Sequence, residues 1–177
     1  MDCPSRNSSV PEHLLLRSSG GIPSLPGTYL LHMVMGVPAM VTVGCLGKFH
    51  LQPGNYLYIG SALGPGGLSS RIRHHQRISS QPIWHIVWFR PHACIRKVIC
   101  LLSAERLECA ICAHIASLEG VTVPIIGFGS SDCHNKCRAH FYYLSHLIDT
   151  GKVFRELPEI FPGKDFVIIN NPKLLKY

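Results

Sequence analysis

A predicted helix places an arginine and a histidine among its apolar residues. Leu68, Arg71, Ile72 and His75 follow the i, i+3, i+4, i+7 spacing of one helical face. An arginine almost never lies fully buried without a partner, so we expect Arg71 to line a cavity. A guanidinium there matches two oxygens of a phosphate or carboxylate. For His75 a simpler interpretation stays open, because a histidine near a helix C-terminus is favoured by the helix dipole.

A glutamate provides the second anomaly. Ser103 is a good N-cap, and a helix is predicted from there to about Leu118. Glu108 lies between the two apolar sides of that helix, where a carboxylate needs a cation, a metal ion or a raised pKa. An ion pair between Glu108 and Arg71 would explain why both charged residues lie at apolar positions, without a catalytic role for either. The two apolar sides consist of Ala104, Leu107, Ile111, Ile115 and Leu118, and of Cys109, Cys112, Ala113 and Ala116.

The elements that must position these side chains are predicted from residue periodicity. Two-residue alternation puts Tyr29 on one strand face with Leu31 and Met33, and it puts Tyr56 and Tyr58 on one face of another strand. Three consecutive strands with tight turns indicate an antiparallel meander. The predicted strands are 27–35, 40–46, 56–60, 83–89 and 95–102. The predicted fold class is α/β of the α+β type, with a small central antiparallel sheet of three or more strands flanked by helices.

Length and composition favour one domain with extensions among the 177 residues. Residues 1–26 are rich in Ser, Pro and Gly and are predicted to form a mostly disordered leader. Residues 27–144 form the predicted domain, and 145–177 a C-terminal extension. No secretory signal and no membrane span is predicted. We therefore expect an intracellular protein, cytoplasmic or nucleoid-associated, with organelle targeting as an open alternative.

The charge balance favours a polyanionic partner. Seventeen Lys and Arg against ten Asp and Glu give a net charge of +7, with 11 histidines in addition. On the outer face of the helix at 68–77, Arg73, His74 and Arg77 form either an ordinary solvated surface or a contact with a phosphate backbone.

The eight cysteines resemble buried reduced thiols more than a disulfide framework. Cys133, Cys137 and His140 could bind zinc, and Cys109 and Cys112 share a helical face that could supply further ligands. The spacing is not that of a standard zinc finger, so zinc is the less favoured expectation. A zinc-stabilised structural protein is one alternative function.

Four motifs in this order resemble the GIY-YIG nuclease superfamily, and the likeness spans roughly residues 27–144. They are Gly27-Thr28-Tyr29, Tyr58-Ile59-Gly60, Leu68-x-x-Arg71-x-x-x-His75 and Leu107-Glu108-x-x-Ile111. The chain is most similar to a branch in which some members are fused to a base-excision endonuclease. The stretches shared with that branch are YIGSA-LGPGGL, WHI at 84–86, ERLECA at 105–110 and GFGSSDC at 127–133.

Three departures from the family pattern have consequences. Thr28 stands where the first tripeptide of the superfamily has isoleucine. The gap between the tripeptides is longer than is usual, which predicts an elongated hairpin. Val87 follows WHI where an acidic residue often stands in the branch, so a second acidic contribution is not expected.

The resemblance implies a metal-dependent endonuclease that hydrolyses DNA phosphodiester bonds in repair or processing. Glu108 would bind one Mg²⁺ or Mn²⁺, and Arg71 would hold the phosphate. Tyr29 would position or deprotonate the attacking water, with Tyr58 and His75 assisting. The implied partners are DNA and a DNA-repair protein. The alternative is a non-catalytic nucleic-acid-binding module with the same fold.

Overall fold

The protein is described by a computed structural model over residues 21–77 and 83–170. Eight strands and four α-helices form within these residues, and short 3₁₀ turns follow β2 and α2. In chain order they are β1 (Gly27–Met35), β2 (Ala39–Val43), β3 (Gly47–Leu51), β4 (Gly54–Ala62), α1 (Gly67–Gln76), α2 (His85–Phe89), β5 (Cys94–Leu102), α3 (Glu108–Ser117), β6 (Val121–Thr122), β7 (Phe141–Leu144), α4 (Thr150–Ile160) and β8 (Asp165–Asn170).

Six strands form one antiparallel sheet in the order β6-β7-β4-β1-β5-β8. This confirms the predicted fold class. The predicted meander is wrong, because β1 pairs directly with β4 from Gly27↔Ala62 to Met35↔Gly54. Strands β2 and β3, which lie between β1 and β4 in the sequence, form a separate two-stranded hairpin. This hairpin contacts α2. Strands β1 and β4 are both nine residues long and pair over their full length, whereas β2 is only five residues long.

The central strands are buried on both faces, so two apolar layers form. One layer contains Tyr29, Leu31, Tyr56 and Tyr58 with residues of α1 and α2. The other contains alternate residues of the same strands, such as Leu30, with residues of α3 and α4. The predicted alternation of Tyr29 and of the Tyr56–Tyr58 pair is therefore confirmed.

Three local predictions are wrong. The strand predicted over 40–46 ends at Val43, because Gly44–Leu46 forms a 3₁₀ turn. Residues 83–89 do not form a strand, because His85–Phe89 is a helix that buries Ile86, Val87 and Phe89 in the first layer. A short apolar run fits both periodicities, and here packing decides in favour of the helix. The helix predicted from Ser103 begins at Glu108. Ser103 Oγ does accept a hydrogen bond from the Glu105 amide, but this closes only an exposed turn before α3.

Both flanking segments contribute to the domain where they are described. The backbone carbonyls of Leu25 and Pro23 accept hydrogen bonds from the amides of Leu68 and Ser69 at the start of α1. Strand β8 extends the sheet beside β5, and α4 packs on the second layer. The predicted disordered leader falls outside the described residues over 1–20, as does the end of the C-terminal extension over 171–177. Within the described chain, no helix is long and apolar enough to cross a membrane.

Candidate active site and metal centre

A cavity of about 440 Å³ opens at one end of the sheet. Tyr29, Tyr58, Arg71 and Glu108 all line it, although they come from β1, β4, α1 and α3. His75 lies behind Tyr29 and does not line the cavity. The sheet thus brings four of the five proposed catalytic residues to one open surface, and the fifth contacts one of them.

The two tyrosines meet because of the register between β1 and β4. Leu31 pairs with Tyr58 and Tyr29 pairs with Gly60, so the tyrosines are diagonal neighbours on one face. Their ring centroids are 6.3 Å apart. Gly60 is required by this packing, because a Cβ there would lie 2.4 Å from the Tyr29 hydroxyl oxygen. The glycine of the second tripeptide therefore makes room for the tyrosine of the first.

Tyr29 and His75 form a buried hydrogen bond, with 2.7 Å between the tyrosine Oη and His75 Nε2. Burial, reinforced by the positive charge of Arg71, lowers the pKa of His75 to about 3. The imidazole is therefore neutral at neutral pH, and its tautomer decides which of the two groups donates. Burial raises the pKa of Tyr29 well above its ordinary value, and the nearby Tyr58 raises it further. Both groups are uncharged in the resting site.

Arg71 reaches the cavity across an indole ring. Its guanidinium carbon lies 4.3 Å from the centroid of Trp84, which is a cation–π geometry, and it has no acidic partner within the described part of the chain. Burial raises the pKa of Tyr58 to about 12, and the Arg71 charge acts in the opposite direction. Among the described residues, the ion pair of Glu108 is made with Arg106 and not with Arg71. The structural Arg71–Glu108 pair considered above is therefore not formed.

Glu108 is buried at the first turn of α3, as its position between two apolar sides predicted. Its Oε1 accepts a hydrogen bond from Ser61 Oγ at 3.1 Å and lies 3.9 Å from Arg106 Nη1. Its Oε2 is buried and has no hydrogen-bond partner among the described residues. A buried carboxylate oxygen without a partner is costly. Glu108 lines the cavity, and a carboxylate with an unpartnered oxygen fits the ligand requirements of a hard divalent cation.

The two ends of α1 explain how its side chains are held. The amides of Gly67, Leu68 and Ser69 already donate to the carbonyls of Gly64, Leu25 and Pro23, so these donors of the helix start are not available to an anion. At the other end, the buried Arg90 donates from Nε to the His75 carbonyl at 2.9 Å and from Nη1 to the Ala93 carbonyl. A cation at a helix C-terminus is favourable, and here it fixes the turn that carries His75.

The predicted outer face of α1 is exposed. Arg73, His74 and Arg77 are all on the surface and do not line the cavity. His74 nevertheless contacts Trp84, with 4.4 Å between the ring centroids. The helix therefore separates Arg71 and His75 from Arg73, His74 and Arg77, as its spacing predicted.

A loop covers the tyrosines from the other side. Gly129 packs on Tyr58, since a Cβ at Gly129 would lie 2.8 Å from the Tyr58 ring, and its φ is +74°. The Gly129 amide donates to His85 Nδ1 at 2.9 Å. Asp132 lines the cavity from the same loop. The GFGSSDC stretch is therefore part of the cavity wall.

A cluster of soft ligands lies beside this wall. One ligand atom from each of Cys109, Cys133, Cys137 and His140 falls within 4.8 Å of the other three. Cys109 comes from α3, directly after Glu108, while the others come from the loop and from the residue before β7. Cys112, the other cysteine considered on this helix, is buried and does not belong to the four-residue cluster.

A scan of known protein families finds one match, to a family described as domain of unknown function DUF123, over residues 28–161. The chain belongs to this DUF123 family. The matched range contains every residue discussed so far for the cavity and the cysteine cluster. No curated protein and no solved structure matches this DUF123 chain.

Several residues of the DUF123 site were not among the candidates from sequence. They are Ser61, Trp84, His85, Arg90 and Arg106. Ser61, Trp84, His85 and Arg106 lie in stretches that carry the resemblance, which was the available signal. Nothing in the local pattern marks Arg90, because its role arises from contacts with the His75 and Ala93 carbonyls.

Proposed function

We propose that this protein is a metal-dependent endonuclease of GIY-YIG type that hydrolyses phosphodiester bonds of DNA, in a branch of that superfamily to which DUF123 would belong. One observation carries the proposal. Tyr29, Tyr58, Arg71 and Glu108 converge from four elements on one open cavity, and Glu108 has a buried oxygen with no hydrogen-bond partner among the described residues. A purely structural glutamate would be expected to have both oxygens satisfied.

Arg71 is the proposed phosphate ligand. Its charge is held over Trp84 and has no acidic partner among the described residues. A planar guanidinium can donate to two phosphate oxygens at once and stabilise charge that develops on them. The opposing charge of Glu108 is engaged by Arg106, so Arg71 stays available to the substrate.

Tyr29 is the proposed orienting group for the attacking water. With its raised pKa it is a neutral phenol, and its oxygen can accept a hydrogen bond from water while Tyr58 borders the same space. His75 is a positioning residue, because it is buried behind Tyr29 and its pKa of about 3 makes it a poor proton acceptor. Its bond to Tyr29 fixes the phenol within the cavity.

Glu108 is the residue that would hold a divalent cation, Mg²⁺ or Mn²⁺. Such an ion, when bound, supplies Lewis-acid stabilisation of the phosphate and lowers the pKa of water. Ser61 Oγ donates a hydrogen bond to Glu108 Oε1 and so orients the carboxylate. The other oxygen, Oε2, has no hydrogen-bond partner among the described residues.

The test is nicking of supercoiled plasmid and of branched DNA with Mg²⁺ or Mn²⁺. Glu108→Gln keeps the shape and the contact to Ser61 but removes the charge, and we expect it to abolish cleavage. Glu105→Gln is the matched control, because Glu105 is exposed, pairs with Lys164 and lies outside the cavity. Absence of cleavage by the wild-type protein, or undiminished cleavage by Glu108→Gln, would contradict the proposal.

A non-catalytic DNA-binding module is the second candidate, favoured by the net charge of +7 and the exposed positive face of α1. It requires salt-dependent DNA binding by both wild-type protein and Glu108→Gln, with no cleavage by either in any divalent metal. The two candidates thus differ in cleavage and not in binding.

A further inference from the structure

We propose that Cys109, Cys133, Cys137 and His140 bind one structural Zn²⁺, which fastens the loop at 129–138 to α3. The proposal does not depend on nuclease activity. It reverses the expectation from spacing alone, which disfavoured zinc because the cysteine pattern is not that of a standard finger.

The geometry fits a single ion. Four ligands at the ~2.0–2.3 Å of zinc bonds lie roughly 3.3–3.8 Å apart in a tetrahedron. The four ligand atoms here all lie within 4.8 Å of one another, and the Cys109 and Cys133 sulfurs are 3.4 Å apart. Small side-chain rotations complete a tetrahedral set. Such a compact arrangement surrounds one ion and leaves no room for an iron–sulfur cluster between the ligands.

Two independent features show that the ligands are held in place. A tight turn joins the two loop cysteines, with the Lys136 amide donating to the Cys133 carbonyl and Lys136 itself at φ +53°. A non-glycine residue in this region is strained by roughly 1–2 kcal/mol, which a cross-link can offset. His140 is fixed by backbone bonds to Phe128 and Ile59, and its buried Nε2 has no hydrogen-bond partner among the described residues.

Apart from the contacts of Gly129 with His85 and Tyr58, the loop has little buried surface to attach it. Between Gly129 and Arg138, most residues are exposed and no helix or strand forms. The side chains in this stretch that are at least partly buried are those of Ser130, Cys133 and Cys137. A segment with so little apolar anchoring is expected to open locally. A metal ion that joins it to Cys109 on α3 would hold it against Tyr58.

The ligand set favours zinc in a structural role. Three thiolates and an imidazole select Zn²⁺ over Mg²⁺ or Mn²⁺, which prefer oxygen ligands. Four protein ligands leave no open position for water, which is the pattern of structural and not catalytic zinc. The zinc site and Glu108 would therefore be separate metal sites that border one cavity.

The first experiment measures metal content in the full-length protein purified under reducing conditions without chelator. We expect one zinc per chain by elemental analysis. Replacement with Co²⁺ should give the visible absorption of a tetrahedral ion and a near-ultraviolet thiolate-to-cobalt band. Zinc far below one per chain with no such cobalt bands would overturn the proposal, as would stoichiometric iron. A loss of two titratable thiols in the unreduced protein, denatured with a chelator present, would also overturn it, because metal-free thiols that still do not react are in a disulfide.

Variants locate the site. Cys133→Ser and His140→Ala should lose the zinc, whereas Cys112→Ala on the same helix and the exposed Cys94→Ser should keep one per chain. Retention of zinc by both ligand variants would overturn the assignment.

If the ligand variants fail to fold, the wild-type protein provides the test. Chelation should increase amide hydrogen exchange in residues 127–140 but not in β1 and β4. Unchanged exchange in the loop after complete metal removal would contradict the proposed clamp.

Discussion

Two regions border the same cavity and are held in different ways. The tyrosine side is built from β1 and β4, whose backbone hydrogen bonds and buried rings fix Tyr29 and Tyr58. The loop side at 129–138 is mostly exposed and closes through short backbone turns. The boundary between the regions falls between adjacent residues of α3, since Glu108 presents oxygen ligands and Cys109 presents sulfur. The sheet positions its side chains by strand pairing and packing, whereas the loop has little buried surface and, in our proposal, is held by a metal ion.

The largest effect should come from removing Arg71, the proposed phosphate ligand on the tyrosine side of the cavity. Arg71→Met keeps an apolar stem over Trp84 but removes the charge, and we expect cleavage to fall about 10²–10³-fold. Arg73→Met, on the exposed face of the same helix, is the matched control and should change cleavage much less. Neither variant should change the zinc content. Equal loss of cleavage in both would show that Arg71 has no special role.

The second prediction concerns the contribution of a metal ion at the loop to the free energy of unfolding. If the zinc proposal holds, chelation should lower the free energy of unfolding of the wild-type protein by about 4 kcal/mol when free zinc exceeds its Kd about 1,000-fold. Cys137→Ser should begin at the lower stability and show no response to the chelator. Thermal unfolding of both proteins with and without zinc checks this. A chelator response that persists in Cys137→Ser would place the stabilising metal elsewhere.

A third prediction concerns a variant that disrupts the packing of Tyr29 against Gly60 on the tyrosine side. Gly60→Ala would place a methyl group 2.4 Å from the Tyr29 hydroxyl, so we expect a loss of about 1–3 kcal/mol in unfolding free energy. Gly64→Ala is the control, because nothing lies within 4 Å of a Cβ there. Denaturant unfolding measures both. Similar stabilities for the two variants would mean that the Tyr29 ring is free to move.

A fourth prediction concerns pH and the buried histidine. Burial lowers the pKa of His75 from its usual 6.5 to about 3, so between these values the unfolded chain binds the proton and the folded chain does not. The contribution of His75 to stability is therefore complete above pH 6.5 and decreases as pH falls, by at most about 1.4 kcal/mol per unit.

The check is the stability difference between the wild-type protein and His75→Leu, measured from pH 7 to pH 4. The difference should shrink as pH falls, because the variant lacks the titrating group. His74→Leu, which changes the exposed neighbour, is the matched comparison. A constant difference for His75→Leu would indicate that the histidine is charged or exposed in the folded protein.

The smallest effect belongs to the exposed face of α1. If Arg77 contacts a DNA phosphate, Arg77→Gln should reduce the slope of log binding constant against log salt by about 1. Cleavage at low salt should change little, since Arg77 lies away from the cavity. Binding isotherms at several salt concentrations provide the measurement. An unchanged slope would remove this residue from the interface.

Where residue patterns predicted structure correctly, the information was local. Alternation placed Tyr29 and Tyr58 on the face that became the cavity side, and helical spacing separated Arg71 from Arg73. Spacing also predicted that Glu108 would be buried. These predictions work because the periods of strands and helices are fixed by backbone geometry.

Patterns failed where packing between distant elements decided the outcome. The run from Trp84 to Phe89 is apolar enough for a strand, but in the fold it packs as α2. Strand β1 pairs with β4 and β5 and not with β2, and such pairing between distant strands is not visible in a local residue pattern. The catalytic roles of Tyr29 and Glu108 came from family resemblance and stay predictions until cleavage is measured.

The sequence by itself determined which side chains are available for chemistry and which face of each element carries them. Only the tertiary structure decided that Glu108 pairs with Arg106, that His75 lies behind Tyr29, and that Cys109 joins the loop ligands. The physical reason is that ligand geometry depends on distances of a few ångströms between elements far apart in sequence. Residue spacing defines distances within one element, and only packing and strand register define those between elements.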